Sequence, residues 1–129
     1  MREEQTEYGI LHFHEHFVVG TIHAGIDFDK ACVDDIVTRL NAAYGNRPFV
    51  YISNRIHDYS LNPAQVRRLE SETSIMGAAF VLVRRFSHES FQTERVFYKL
   101  PIATFQTVDE AITWARSQID SQRPSDPEN

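Results

Sequence analysis

The 129 residues are 42% hydrophobic and 24% charged, an ordinary globular balance at a length suited to one domain. A net charge of −5 argues against a dedicated nucleic-acid binder, and the longest apolar run, Met76–Val83, falls far short of the ~20 residues a membrane helix needs. The charge is uneven: residues 1–46 hold three cations and eight anions, residues 47–99 eight and five, and residues 100–129 two and five, so the middle is +3 in an acidic chain.

The opening Met1-Arg-Glu-Glu-Gln-Thr-Glu7 is acidic, carries no signal-peptide pattern and reads as a disordered N-terminus over residues 1–7. Tyr8–His14 and Phe17–His23 are two apolar-rich segments around a short polar break, which predicts an antiparallel β-hairpin. Asp29 is placed to cap a helix whose apolar side is Val33, Ile36, Val37, Leu40, Ala43 and Tyr44, with Phe28 stapling onto Val33 and Gly45 as C-cap. Cys32, the lone cysteine, excludes an internal disulfide and fits a reducing cytoplasm; it reads as a buried small hydrophobe, with a thiolate in the first helical turn as the alternative. Val50–Ser53 predicts a strand. Pro63–Thr73 predicts a helix opened by Asn62-Pro63, its apolar side thin, mainly Val66 and Leu69, with Leu61 stapling onto Val66. Met76–Val83 reads as a strand apolar on both faces, Ser87–Tyr98 as a helix with Phe86 and Phe91 as a staple, and Ile102–Phe105 as a short strand. Val108–Ile119 predicts the last helix, opened by a Thr107–Glu110 capping box and striped with Val108, Ala111, Ile112, Ala115 and Ile119. Ser121–Asn129 has two prolines and no apolar residue and reads as a disordered tail, which leaves residues 8–120 as one domain.

Strands alternating with helices from Phe49 onward call for parallel strands joined by right-handed crossovers. The expected class is α/β: a mixed sheet with an N-terminal antiparallel hairpin, then parallel β-α units, helices flanking the sheet. Ligands of such sheets gather at the carboxyl ends of the strands.

Three sets of residues invite a chemical reading. His12, His14 and His16 alternate as metal ligands on one strand face would, but the hairpin turn falls among them, so exposed hairpin histidines are the plainer reading and no metal site is assigned. Ser60 with His57 and Asp58 has hydrolase residue types packed into one loop, without a Gly-x-Ser-x-Gly elbow; loop capping accounts for them, and no catalytic residue is assigned. The favoured candidate is the edge where Ser53, Asn54, Arg55, Tyr59 and Ser60 leave one strand and Arg84 and Arg85 leave the next, beside Ser87 at a helix amino end. Exposed guanidinium groups there suit an anionic ligand or an acidic protein surface, whereas surface pairing with Glu70, Glu72 or Glu89 is the bland account.

The order hairpin, helix, then strand-helix units, with Phe49-Val-Tyr-Ile-Ser-Asn-Arg55, Tyr59-Ser60 and Phe105-Gln-Thr-Val-Asp-Glu-Ala-Ile-Thr-Trp114, resembles the STAS, or SpoIIAA-like, domain family over roughly residues 8–118, closest to its small stand-alone bacterial members. The resemblance implies a mixed sheet flanked by helices and a non-enzymatic, cofactor-free binding or regulatory role toward a protein partner. A carrier of a small anionic molecule or lipid, using a pocket between sheet and helices, is the alternative, and a homodimer is left open. The best-known members are switched by phosphorylation of a Ser or Thr in an Asp-Ser-Ser-Gly-like motif after the central strand. Here that stretch is Ser53-Asn-Arg-Ile-His-Asp-Tyr-Ser-Leu-Asn62, longer and without the motif.

Overall fold

A computed structural model describes residues 2–57, 60–82 and 91–122, the side chains of 60, 61 and 122 excepted. Arg2–Gln5 (β1), Gly9–Phe13 (β2), Phe17–Ile22 (β3), Phe49–Arg55 (β5), Ile75–Leu82 (β7) and Ile102–Phe105 (β8) form one six-stranded sheet whose spatial order follows the chain. The first three strands are antiparallel neighbours, and β3, β5, β7 and β8 are parallel. The α/β class, the hairpin and the parallel units therefore stand as the sequence predicts. The connection from β3 to β5 holds Asp27–Phe28 (β4) and Lys30–Tyr44 (α1). The connection from β5 to β7 holds Ser60–Leu61 (β6) and Pro63–Glu72 (α2). Residues 91–94 are helical and run into a 3-10 turn, Arg95–Phe97, before β8, and Val108–Gln122 (α3) follows β8.

Alternation along the central strand divides the core. Phe49 and Tyr51 face α1 and α2 and pack with Leu11, Phe13, Val18, Val33, Ile36, Leu40 and Val66. Val50 and Ile52 face the other way and pack with Phe17, Val19, Ala79, Val81 and the α3 residues Ala111 and Ala115. Short connections that step along the sheet in one direction keep α1 and α2 on one face, and α3 returns across β7, β5 and β3 to cover the other. A third cluster, Ala78, Phe80, Leu82 and Phe91 with Tyr98 and Leu100, extends the α1–α2 face over β7. No helix among the described residues is long and apolar enough to cross a membrane.

The helix ends follow their sequence signals. Asp29 accepts the Cys32 amide at 3.1 Å and Asn62 accepts that of Ala64 at 3.0 Å. Gly45 closes α1 at φ 56°, a left-handed backbone that a side chain resists, with its N–H on Asn41 O. Thr107 Oγ1 accepts the Glu110 amide at 3.1 Å, and Glu110 Oε1 accepts the Thr107 amide at 3.1 Å, the reciprocal capping box.

Several expectations are corrected. The terminus read as disordered holds β1: Arg2–Gln5 pairs with Phe13–Ile10 in antiparallel register, and Glu4 reaches Arg39 of α1 at 2.8 Å. Polar composition hid it, because an edge strand needs little apolar surface. The last helix runs on to Gln122, so the first two residues of the presumed tail are helical; residues 123–129 lie outside the described set, as do 83–90 at the start of the expected Ser87–Tyr98 helix and at the Phe86 end of its staple. The buried stripe of α3 is narrower than its sequence spacing suggests. Ala111, Ala115 and Ile119 are buried, while Val108, Ile112 and Trp114 sit half-buried at the margin. β4 and β6 pair in parallel as a separate two-residue ribbon, too short to show any period in sequence.

Candidate functional site

The strand β5 carries the residues singled out for binding, and its alternation separates them. Ser53 and Arg55 continue the Phe49–Tyr51 side and point beneath α2. Asn54 continues the Val50–Ile52 side, where its Nδ2 lies 3.5 Å from Thr21 Oγ1 of β3. The three are adjacent in sequence but do not share one surface.

Arg55 is buried. It is 9% exposed and its guanidinium is bidentate on Glu94, Nη1 to Oε1 at 2.8 Å and Nη2 to Oε2 at 2.7 Å, while Nε donates to Ser53 Oγ at 2.9 Å. Tyr98 OH donates to Glu94 Oε2 at 2.5 Å, and the guanidinium carbon stands 5.2 Å from the centre of the Phe80 ring. A strand-end arginine expected to reach solvent is thus folded back into an ion pair with both partners withdrawn from water. Such a pair keeps its place through hydrogen-bond geometry as much as charge. No buried side-chain nitrogen or oxygen among the described residues lacks a hydrogen-bond partner.

Around this cluster lies a cavity between sheet and helix, lined by Tyr51, Ser53, Arg55, Val66, Leu69 and Phe80 among others, with Glu70 and Tyr98 at its side. Tyr51, which lines it, lays its ring across β3 at Gly20, where any Cβ would collide with the phenol oxygen. Its volume is about 30 Å³, room for one or two waters. Small-molecule sites start near ~300 Å³.

Of the other candidate residues, Tyr59, Arg84 and Arg85 lie outside the described residues, and Ser60 is described only through its backbone, which pairs with Asp27 in the β4–β6 ribbon. Asp58 and Ser87 also lie outside. The three hairpin histidines diverge: His12 Nδ1 is 3.6 Å from Glu3, His14 stacks on Phe17 with ring centres 4.4 Å apart, and His16 contacts Glu15 at 2.9 Å. Partial burial lowers the pKa of His14. No group of three or more His, Cys, Asp or Glu placed to hold a metal exists among the described residues. Cys32 is fully buried, and desolvation pushes its thiol up to about 12, the opposite of an activated thiolate.

Sequence reasoning missed Glu94, the partner of Arg55 from 39 residues away, and the two large hydrophobic side chains that remain exposed among the described residues, Ile56 at 42% and Val96 at 75%. Ile56 follows Arg55 and Val96 lies two residues past Glu94, so the ion pair ties together the backbone segments that carry them. The misfit of an apolar side chain inside a polar stretch was the available signal for Ile56; Val96, between Arg95 and Phe97, offered none. Comparison with protein-family models, with curated proteins and with solved structures finds no match to this chain.

Proposed function

We propose that this chain is a STAS-like binding and regulatory module that acts through contact with a protein partner in the cytoplasm. The observation that carries the reading is the composition of the carboxyl-end edge: a polar cluster whose charges are spent on each other, flanked by exposed Ile56 and Val96. A reaction centre needs a polar atom held ready for substrate. Here Ser53, Arg55, Glu94 and Tyr98 are committed to one network, which supports recognition by shape and apolar contact. The sequential mixed sheet with helices on both faces accords with the resemblance in Phe49–Arg55 and Phe105–Trp114. The single buried thiol accords with a reducing compartment.

The carrier alternative would use the cavity beneath α2, whose volume of about 30 Å³ is an order of magnitude below such sites. Native mass spectrometry of freshly purified protein separates the two readings. The expected result is a bound protein chain that is lost from an Ile56→Glu/Val96→Glu variant of unchanged melting temperature. A bound mass of a few hundred daltons that survives this variant would establish the carrier instead.

A further inference from the structure

At the amino ends of β7 and β8 lies a groove of about 520 Å³, formed by Arg67, Glu70 and Ser71 of α2, Ile75 at the start of β7, and Lys99 and Leu100 before β8. Its floor is apolar, Ile75 and Leu100, and its rim is cationic.

The charge on that rim is uncommitted. Arg2, Lys30, Arg39, Arg55 and Arg68 each hold a carboxylate within 4 Å. Arg67, Arg95 and Lys99 hold none among the described residues, and Arg95 has only the side-chain oxygen of Gln92 at 3.5 Å. Arg67 and Lys99 both line the groove, and the turn carrying Arg95 and exposed Val96 ends two residues before Lys99 and packs against α2. The one carboxylate on the rim is already occupied, because Glu70 Oε2 accepts the backbone N–H groups of Lys99 at 2.8 Å and Leu100 at 3.2 Å. That bond also fixes the segment on which Lys99 stands. A chain of net charge −5 therefore presents two cations without a carboxylate partner among the described residues in one apolar-floored groove, with a third, Arg95, on the turn that precedes Lys99.

From this juxtaposition we infer that the groove receives an acidic peptide segment of the partner, one that alternates carboxylate and aliphatic side chains. This rests on the partner-binding reading above and extends it from the exposed Val96 into the groove. The carboxylates meet Arg67, Lys99 and Arg95, and an aliphatic side chain lies on Ile75 and Leu100. Charge there steers encounter more than it adds affinity, and added salt weakens it.

The test uses a fluorescein-labelled nine-residue peptide of alternating Glu and Leu, its Gln-and-Leu counterpart, and fluorescence anisotropy at two salt concentrations. Wild-type protein should bind the Glu peptide, at least tenfold more weakly in 500 mM than in 50 mM NaCl. It should bind the Gln peptide at least tenfold more weakly than the Glu peptide. Arg67→Glu/Lys99→Glu should lose at least tenfold for the Glu peptide while keeping its melting temperature; Arg95→Glu, on a turn outside α2, is the second variant if the first melts lower. Equal binding of both peptides, equal binding by wild type and variants, or no binding at all overturns the assignment. If these peptides fail while a protein chain still leaves with the Ile56→Glu/Val96→Glu change in native mass spectrometry, the groove is wrong and the module reading stands.

Discussion

Arg55 and Glu94 make one unit, and removing either leaves the other charge buried alone. Arg55→Met or Glu94→Gln should each cost about 3–5 kcal/mol, read as a lowered urea midpoint, while the double change Arg55→Met/Glu94→Leu should recover most of the loss. A midpoint within error of wild type for Arg55→Met would mean that the guanidinium lies in solvent. The strand itself was legible from its apolar residues, and its two-residue period was enough to set Asn54 apart from Ser53 and Arg55. The partner of Arg55 was not legible, since nothing local marks a glutamate 39 positions away. Two buried protons give a second test at this scale. Desolvation pushes the Cys32 thiol and the Tyr44 phenol, which donates to the carbonyls of His14 and Phe17, each up to about 12, from ordinary values of 9.0 and 10.0. The folded state holds both protons after the unfolded chain has released them. Their contribution is therefore complete below about pH 9 and falls as pH rises toward 12. Urea midpoints at pH 8, 9.5 and 11 should fall less steeply for Cys32→Ala than for wild type; parallel slopes would refute the assignment.

Helix α3 meets the sheet through small residues. Ala111 and Ala115 are fully buried, and the Trp114 ring covers Gly77, where a Cβ would stand 3.3 Å from Cη2. Ala115→Leu should cost about 1–3 kcal/mol by overpacking, more than Ile112→Ala at the half-buried margin, and Thr107→Ala about 1 kcal/mol through the lost cap. Equal midpoints for Ala115→Leu and wild type would show a looser interface than this. Helical spacing in the sequence located the stripe, but spacing cannot say how closely the backbone approaches, and here the small residues permit the approach. Helix α2 has the opposite construction, with only Val66 and Leu69 buried. It is held from outside by Arg68, which bridges Asp34 of α1 at 2.7 Å and Glu72 at 2.7 Å, and by Asn41 Nδ2 on Glu72 O. Exposed ion pairs are weak, so α2 amides should exchange with deuterium well before those of β5 and β7; matching protection would contradict it.

For the molecule as a whole, strand-helix alternation was sufficient to give the sheet, because short crossovers leave few ways to arrange parallel strands. What escaped were the pieces without a period: β1, with three charged side chains in five residues including its neighbour Thr6, and the β4–β6 ribbon. β1 shields the apolar β2, Gly-Ile-Leu-His-Phe, from other chains, a common use of charged edges. Deleting residues 1–7 should therefore raise self-association in light scattering more than it lowers the urea midpoint, and a truncated chain that stays monodisperse would argue against that role. The return of α3 across the sheet has a consequence for biosynthesis. Each strand of the six-stranded sheet lies beside the sheet strand made before it, so the α1–α2 face can close while the chain is still leaving the ribosome. The opposite face, with Phe17, Val19, Val50, Ile52, Ala79 and Val81, is covered among the described residues by Val108–Gln122, and waits until that helix has emerged. A nascent chain paused before Val108 exposes a broad aliphatic surface, and the arrival of Val108–Gln122 decides whether that surface becomes core or a binding target for chaperones.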